Sequence, residues 1–248
     1  MSHWLFDLGN SRLKCAWLDG DGRLGEVQAL GHDESTFVER LHALLPTRAG
    51  NACLSSVASP ALTAAVREAL MARFRVVSIA RTQPRLAGVR IAYAEPEKFG
   101  VDRFLALLAA HARGEGPWLV AGVGTALTLD LLDADGRHRG GRIAPSPRLM
   151  RETLHRAAVQ LPASGGDYAE FAADTADALA SGCDGAAIAL VERSLRQARQ
   201  QIGAEPRLLL HGGGGEALLA HLPQAGFAPS LVLEGLAIWA RAGRTGTL

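Results

Sequence analysis

Scarce cysteine and the lack of any long apolar run limit what this 248-residue chain can be. Its three cysteines are widely spaced and no CxxC or HxxxH pair occurs, which argues against a zinc site. We expect small buried thiols in a reducing compartment, and therefore a cytoplasmic protein. No apolar run reaches the roughly 18 residues that a membrane helix needs. Because the first expected strand begins within four residues, we expect no signal peptide.

An excess of charge of one sign is also missing. The formal net charge is +1, and lysine and arginine are spread along the chain. Neither nucleic acid nor anionic lipid is therefore expected as a partner. Apolar residues make up 48% and charged residues 21% of the chain, a composition typical of a well-packed globular protein. The length suits one large domain or two of about 100–150 residues each.

The most common nucleotide-binding fingerprints are absent. No GxGxxG follows a first strand and no GxxxxGK[ST] occurs, which disfavours the Rossmann and P-loop folds. Three expected strands open each half, whereas a Rossmann fold alternates strand and helix from the outset. A periodic helix over 101–112 is broken by Gly-Glu-Gly-Pro at 114–117, which predicts domains 1–115 and 116–248. Near the C-terminus we expect a strand over 228–233 and a helix over 234–242.

One strand–turn–strand segment occurs twice, once near the start of each half. Residues 6–11 form the first copy and residues 121–126 the second. Gly9 corresponds to Gly124, and Asp7 corresponds to Gly122, so the second copy lacks the carboxylate. Such duplication points to an α/β fold of two actin-like (ribonuclease H-like) domains. We expect each domain to be a mixed five-stranded sheet with helices, and a nucleotide to bind in the cleft between them.

The two loops have the chemistry of phosphate sites. A tight glycine turn aims backbone N–H groups at phosphate oxygens, and Ser11 and Thr125 add hydroxyl donors. Lys14 can place a positive charge near a phosphate. Asp7 can hold a hydrated Mg²⁺, which needs only one or two carboxylates. Ordinary hairpin turns are the alternative, but two equivalent loops in a repeat favour phosphate binding.

A third candidate segment is Gly100–Arg103, at the start of the helix over 101–112. Asp102 can accept a proton from a substrate hydroxyl, and Arg103 can bind an anionic group. The alternative is structural, because an acidic residue in a first helical turn is stabilised by about 0.3–1 kcal/mol. A fourth segment, Gly212–Gly215, either lies against an adenine or ribose or is a flexible connector.

These motifs, in this order, resemble those of the type III pantothenate kinase family over essentially the whole chain. They are DxGN[TS]xxK at residues 7–14, GxDR at 100–103, GTAxTxD at 124–130 and GGxIxP at 140–145. The resemblance implies ATP-dependent phosphorylation of pantothenate to 4'-phosphopantothenate, the first step of coenzyme A biosynthesis.

The resemblance also implies roles for individual residues. It implies ATP contacts at Asp7, Leu8, Gly9, Asn10, Ser11, Arg12, Leu13, Lys14 and Thr125. It implies that Asp102 is the catalytic proton acceptor and that Asp7 binds Mg²⁺ or another divalent cation through water. It implies pantothenate contacts at Tyr93, Gly100, Val101, Arg103 and Thr175. It further implies a homodimer and the use of K⁺ or NH₄⁺.

Three positions depart from the family pattern. Gly122 stands where the family has an aspartate that ligates the monovalent cation, so this chain lacks that charged ligand. Ser146 replaces a glycine, and the family's late Thr-Gly-Gly-Asp-like segment stands here as His211-Gly212-Gly213-Gly214. Two alternatives stay open at this stage. One is a catalytically impaired nucleotide-binding or regulatory relative, and the other is a different small-substrate kinase or phosphatase of the same fold.

Overall fold

The computed structural model describes residues 3–32, 36–114 and 116–245. The chain forms two compact units. Unit 1 combines the chain up to Arg113 with the segment from Ser230 onward, and unit 2 is Gly114–Pro229. The predicted division into 1–115 and 116–248 differs from these units in the C-terminal segment. Glu115, at the predicted boundary, lies outside the described residues.

Unit 1 is built on a mixed five-stranded sheet. Its strands are β1 (His3–Leu8), β2 (Arg12–Leu18), β3 (Gln28–Gly31), β4 (Ala49–Ser56) and β5 (Phe74–Ile79). Its helices are α1 (Phe37–Leu44), α2 (Pro60–Met71), α3 (Val101–Ala112) and α7 (Leu231–Thr245). The strand order is β3-β2-β1-β4-β5, with β1 antiparallel to β2 and parallel to β4. A small hairpin, β6 (Arg85–Leu86) and β7 (Val89–Arg90), precedes α3.

Unit 2 repeats this arrangement. Its strands are β8 (Trp118–Val123), β9 (Ala126–Leu132), β10 (His138–Pro145), β11 (Arg207–His211) and β12 (Gly226–Phe227). Its helices are α4 (Pro147–Ala157), α5 (Thr175–Ile202) and α6 (Gly215–Leu218). The strand order β10-β9-β8-β11-β12 is that of unit 1 with each strand replaced by its counterpart. The expected pair of mixed five-stranded sheets with helices is therefore confirmed.

Side-chain alternation explains how each sheet is buried. In β1, Phe6 and Leu8 point into the core that α1 and α2 cover. Leu5 and Asp7 lie on the opposite face, where α7 packs against β1. Since Leu5 is fully buried, unit 1 has apolar packing on both faces of its sheet. In unit 2, α5 covers one face of β8, β9 and β11.

The C-terminal helix explains why unit 1 is discontinuous. The strand predicted over 228–233 is wrong, because β12 is limited to Gly226–Phe227 and α7 already begins at Leu231. Leu231, Leu233 and Leu236 are buried, and α7 packs along α3. At Gly235 an added Cβ would run into the backbone of Leu105, so the two helices approach too closely for a side chain there. No described helix is long and apolar enough to cross a membrane.

Candidate active site

The first glycine loop, Gly9–Ser11, is a tight connection between β1 and β2. The Gly9 N–H donates to the Arg12 carbonyl at 3.1 Å. On the other side, Nε2 of His32 lies 2.9 Å from the Gly9 carbonyl. His32 therefore braces the loop from beyond β3, and nothing in the local sequence pattern indicated this.

Asp7 is a carboxylate with a strongly raised pKa. In the sheet it faces Lys14 on β2 and Ser55 on β4. The pKa of Asp7 is raised to about 6, mainly because the carboxyl group is buried and in smaller part because Asp102 is negatively charged. The 2.8 Å hydrogen bond donated by the Ser55 hydroxyl and the positive charge of Lys14 act in the opposite direction. Burial also lowers the pKa of Lys14, and the negative charge of Asp7 acts against this decrease.

This arrangement fits a divalent cation. Asp7 has lost hydration, and a second carboxylate, Asp102, is close enough to affect its pKa. A cation at this point would offset both negative charges. The described residues contain no group of three or more His, Cys, Asp or Glu side chains suited to a metal ion. Mg²⁺ keeps several water ligands and does not need such a group, and a single carboxylate such as that of Asp7 is compatible with its chemistry.

Asp102 lies in the first turn of α3, the helix that begins immediately after its N-cap residue Gly100. A Cβ on Gly100 would lie 2.7 Å from Oδ1 of Asp102. Any other residue at position 100 would therefore displace the Asp102 carboxylate. The GxDR pattern thus has a local steric reason, independent of any ligand. Asp102 remains partly exposed, as a group that meets a substrate must be.

Side chains from both sides of Gly100 in the sequence pack together, with Tyr93 and Arg103 against the ring of Phe99. The rings of Tyr93 and Phe99 have centroids 4.9 Å apart, and the Arg103 guanidinium carbon lies 4.6 Å from the centre of the Phe99 ring. The Thr82 hydroxyl donates to the Phe99 carbonyl at 2.7 Å, which anchors the backbone before Gly100. The structure therefore brings together Tyr93, Arg103 and Gly100, three predicted pantothenate contacts, around Phe99. Neither Phe99 nor Thr82 was predicted.

The second glycine loop, Gly124–Thr125, connects β8 and β9 in unit 2. The Gly124 N–H donates to the Ala126 carbonyl at 2.9 Å. The buried Ser146 donates its hydroxyl to the Thr125 carbonyl at 2.9 Å and also accepts the Leu149 N–H at the start of α4. The Ser146 hydroxyl thus links this loop to the N-terminus of α4, and a glycine at that position could make neither hydrogen bond.

The remaining predicted residues differ in how they can meet a ligand. Leu8 and Leu13 are fully buried in the core, so only their backbone is available to ATP. Arg12 is exposed, and Val101 is buried at the start of α3. Thr175 is exposed in the first turn of α5, where the N-cap residue Asp174 accepts two backbone N–H groups. Thr175 belongs to unit 2, whereas the other predicted pantothenate contacts belong to unit 1.

Sequence comparison identifies one family. The model of the type III pantothenate kinase family matches residues 4–197. A type III pantothenate kinase of Stenotrophomonas maltophilia (strain K279a) is 62% identical over 240 residues, covering 97% of this chain and 98% of that protein. One from Xanthomonas euvesicatoria pv. vesicatoria (strain 85-10) is 60% identical over 242 residues, covering 98% of both chains.

Solved structures show the same fold at low sequence identity. A conserved Campylobacter jejuni protein, described provisionally as a Baf family transcriptional activator, has a TM-score of 0.64. It is 18% identical and covers 97% of this chain and 99% of its own. The activator of 2-hydroxyisocaproyl-CoA dehydratase from Clostridium difficile has a TM-score of 0.51 at 11% identity, with 99% and 97% covered. These likenesses support the duplicated actin-like fold alone.

Proposed function

Because the chain belongs to the type III pantothenate kinase family, we infer that it transfers a phosphoryl group from ATP to pantothenate. The product is 4'-phosphopantothenate, and the reaction opens coenzyme A biosynthesis. The observation that carries this conclusion is the 62% identity to a named family member across 97% of the chain. The comparisons give no support to a catalytically impaired relative. Three free, buried cysteines support our proposal that the enzyme works in the cytoplasm.

We assign the phosphate-binding role to the two glycine loops. Backbone N–H groups of Gly9–Ser11 and of Gly124–Thr125 bind phosphate oxygens, and the hydroxyls of Ser11 and Thr125 add donors. Phosphoryl transfer has a loose transition state, so catalysis consists mainly of positioning and of offsetting charge. The braces from His32 and Ser146 support this role because they hold both loops before a ligand arrives.

Asp102 is the proposed proton acceptor. Its carboxylate orients the primary hydroxyl of pantothenate and takes its proton as the bond to phosphorus forms. Arg103 and Tyr93, which both pack against Phe99, are the proposed contacts to the rest of the substrate. The guanidinium of Arg103 suits the pantothenate carboxylate, which it can bind through two parallel hydrogen bonds.

Asp7 is the proposed anchor of the divalent cation. A bound Mg²⁺ offsets the negative charge of the ATP phosphates. Asp7 supplies the carboxylate, the Ser55 hydroxyl orients it, and Lys14 adds a positive charge on the same face of the sheet. For the monovalent cation, we propose that this enzyme has little or no dependence on K⁺ or NH₄⁺, because Gly122 offers no carboxylate.

A coupled assay with pantothenate and ATP tests this function. We expect Mg²⁺-dependent formation of phosphopantothenate and ADP in equal amounts, with rates in K⁺ or NH₄⁺ within about twofold of those in choline. Turnover with pantothenate replaced by other small alcohols is expected to be negligible. Absence of product under every cation condition would overturn the proposed function, and strict K⁺ dependence would overturn only the proposal about Gly122.

We also propose a homodimer, and an apolar hollow in unit 2 supports it. This cavity of about 500 Å³ lies between α4 and α5 and is lined by Leu149, Met150, Leu154, Leu179 and others. Leu154 is 43% exposed, and on the neighbouring β10 Ile143 is 66% exposed. Apolar surface of this kind at one place is typical of an interaction site.

Replacing Leu154 by aspartate is expected to weaken the dimer at least tenfold, because a carboxylate would lose hydration in an apolar interface. Sedimentation velocity over a concentration series measures the change. Val38→Asp is the matched control, since Val38 is 50% exposed, close to the value for Leu154, but lies on α1 of unit 1. A wild-type monomer at all concentrations would contradict the proposed dimer.

A further inference from the structure

Two rows of three residues occupy equivalent positions in the two sheets. In unit 1, the pairing of β1 with β2 and β4 aligns Asp7 with Lys14 and Ser55. In unit 2, the pairing of β8 with β9 and β11 aligns Gly122 with Thr128 and His211. Each row lies two residues before its loop glycine, so Gly122 corresponds to Asp7. His211 corresponds to Ser55, the residue that hydrogen-bonds the Asp7 carboxylate.

The His211 ring fills the space that the missing carboxylate would need. A Cβ built on Gly122 would lie 2.8 Å from Nε2 of His211 and 2.7 Å from the Thr128 hydroxyl oxygen. The backbone after His211 is held in place. Gly212 has a φ of +88°, and the Gly214 N–H donates to the Val123 carbonyl at 3.0 Å. The glycine-rich segment is therefore an ordered turn that packs against the end of β8.

The chemistry of the second row differs from that of the first. Gly122 brings no carboxylate, and the Thr128 hydroxyl and the His211 imidazole, which stand where unit 1 has Lys14 and Ser55, can both donate hydrogen bonds to an anion. On the neighbouring strands, Asp130 of β9 and His138 of β10 are buried, and Nε2 of His138 lies 2.9 Å from Oδ1 of Asp130. Asp130 is therefore engaged by His138, and the described part of the chain holds no group of three or more His, Cys, Asp or Glu side chains suited to a metal ion. The row is suited to phosphate oxygens and unsuited to a cation.

We propose that His211 is an ATP-binding residue whose imidazole donates a hydrogen bond to a phosphate oxygen at the second glycine loop. Its ring occupies the space beside Gly122 that a carboxylate there would need, so this loop has no anionic ligand for a monovalent cation at that position. The proposal rests on the proposed function, because it assumes that ATP phosphates bind at Gly124–Thr125.

ATP affinity, measured by calorimetry without pantothenate, tests this proposal. His211→Ala is expected to weaken ATP binding about 10–100-fold, the usual effect of losing a hydrogen bond to a charged group. His211→Gln keeps an N–H donor and should recover most of the loss. Adenosine, which lacks phosphates, should bind all variants within about twofold. His42→Ala on the exposed surface of α1 is the matched control and should bind ATP like the wild type.

A second experiment compares two variants that carry an aspartate at position 122. Gly122→Asp alone would collide with His211 and Thr128, and we expect weaker ATP binding and no response to K⁺. Gly122→Asp combined with His211→Ser transfers the Asp–Ser pair of unit 1 to unit 2. The double variant is expected to bind ATP at least fivefold more tightly in K⁺ than in choline.

The outcomes separate this inference from the proposed function. Unchanged ATP affinity in His211→Ala and His211→Gln, both folded by circular dichroism, would overturn the role of His211. An equal loss of adenosine affinity would also overturn it, because the ring would then contact the nucleoside. Wild-type protein that binds ATP without phosphorylating pantothenate would instead overturn the proposed function. A K⁺ response of the Gly122→Asp single variant would contradict the steric argument.

Discussion

Asp102→Asn is expected to lower kcat by about 10²–10⁴-fold, the usual contribution of a positioned general base. Asparagine has nearly the same size and keeps a hydrogen-bond acceptor for the substrate hydroxyl, but it cannot take the proton. The KM for pantothenate and the Kd for ATP should therefore stay within a few-fold of wild-type values. Steady-state kinetics and calorimetry measure the two effects separately.

The same variant also distinguishes catalysis from helix stabilisation. If Asp102 served only the first turn of α3, its loss would reduce the free energy of unfolding by less than about 1 kcal/mol and leave kcat unchanged. Glu97→Gln is the matched control, because Glu97 is an exposed acid shortly before α3. Wild-type turnover by Asp102→Asn would remove Asp102 from the mechanism.

Asp7→Asn is expected to abolish most activity while stabilising the protein. Loss of the carboxylate removes the proposed anchor of the divalent cation, and we expect kcat/KM for ATP to fall at least about 100-fold. The amide oxygen can still accept the Ser55 hydroxyl, so the sheet should be preserved. The free energy of unfolding without metal or nucleotide should rise at pH 7–8 by on the order of 1–3 kcal/mol.

The sign of that stability change follows from proton binding. The pKa of Asp7 is about 6 in the folded protein and near 3.8 in an unfolded chain. Between these values the folded state binds more protons, so the wild-type free energy of unfolding falls as the pH rises. Above pH 6 the free energy of unfolding stays lower by this amount, because the Asp7 carboxylate is then ionised in both the folded and the unfolded state. Asparagine does not ionise, and the variant should lack this part of the pH dependence.

Urea unfolding in EDTA from pH 4 to pH 8 measures this difference. Asp21→Asn, in the exposed turn after β2, is the matched control and should follow the wild-type curve. Ser55→Ala removes only the hydroxyl that opposes the raised pKa of Asp7, and should steepen the fall in stability. If Asp7→Asn were instead less stable than the wild type at pH 8, the cost of burying the Asp7 charge would already be offset by Ser55 and Lys14.

Much of this fold could be predicted because its signals are local. The helix over 101–112 was predicted with the observed bounds, since its apolar spacing and the following glycines lie within one stretch. The repeated strand–turn–strand segments likewise predict two equivalent sheets, and the structure has them. The strand predicted at 228–233 failed because an apolar run of that length suits either a strand or a buried helix. Packing of Leu231, Leu233 and Leu236 on α3 favours the helix.

For the candidate site, residue identities came from the sequence and their partners came from the structure. The sequence alone determined the fold class, the two glycine loops, Asp7, Asp102 and the absence of a carboxylate at Gly122, because each is a property of one short segment. Only the tertiary structure decided that Ser55 orients Asp7 and that His211 fills the space beside Gly122. These pairs join strands 48 and 89 residues apart in sequence. Which residues meet across such distances depends on strand order and register, which short-range patterns do not encode.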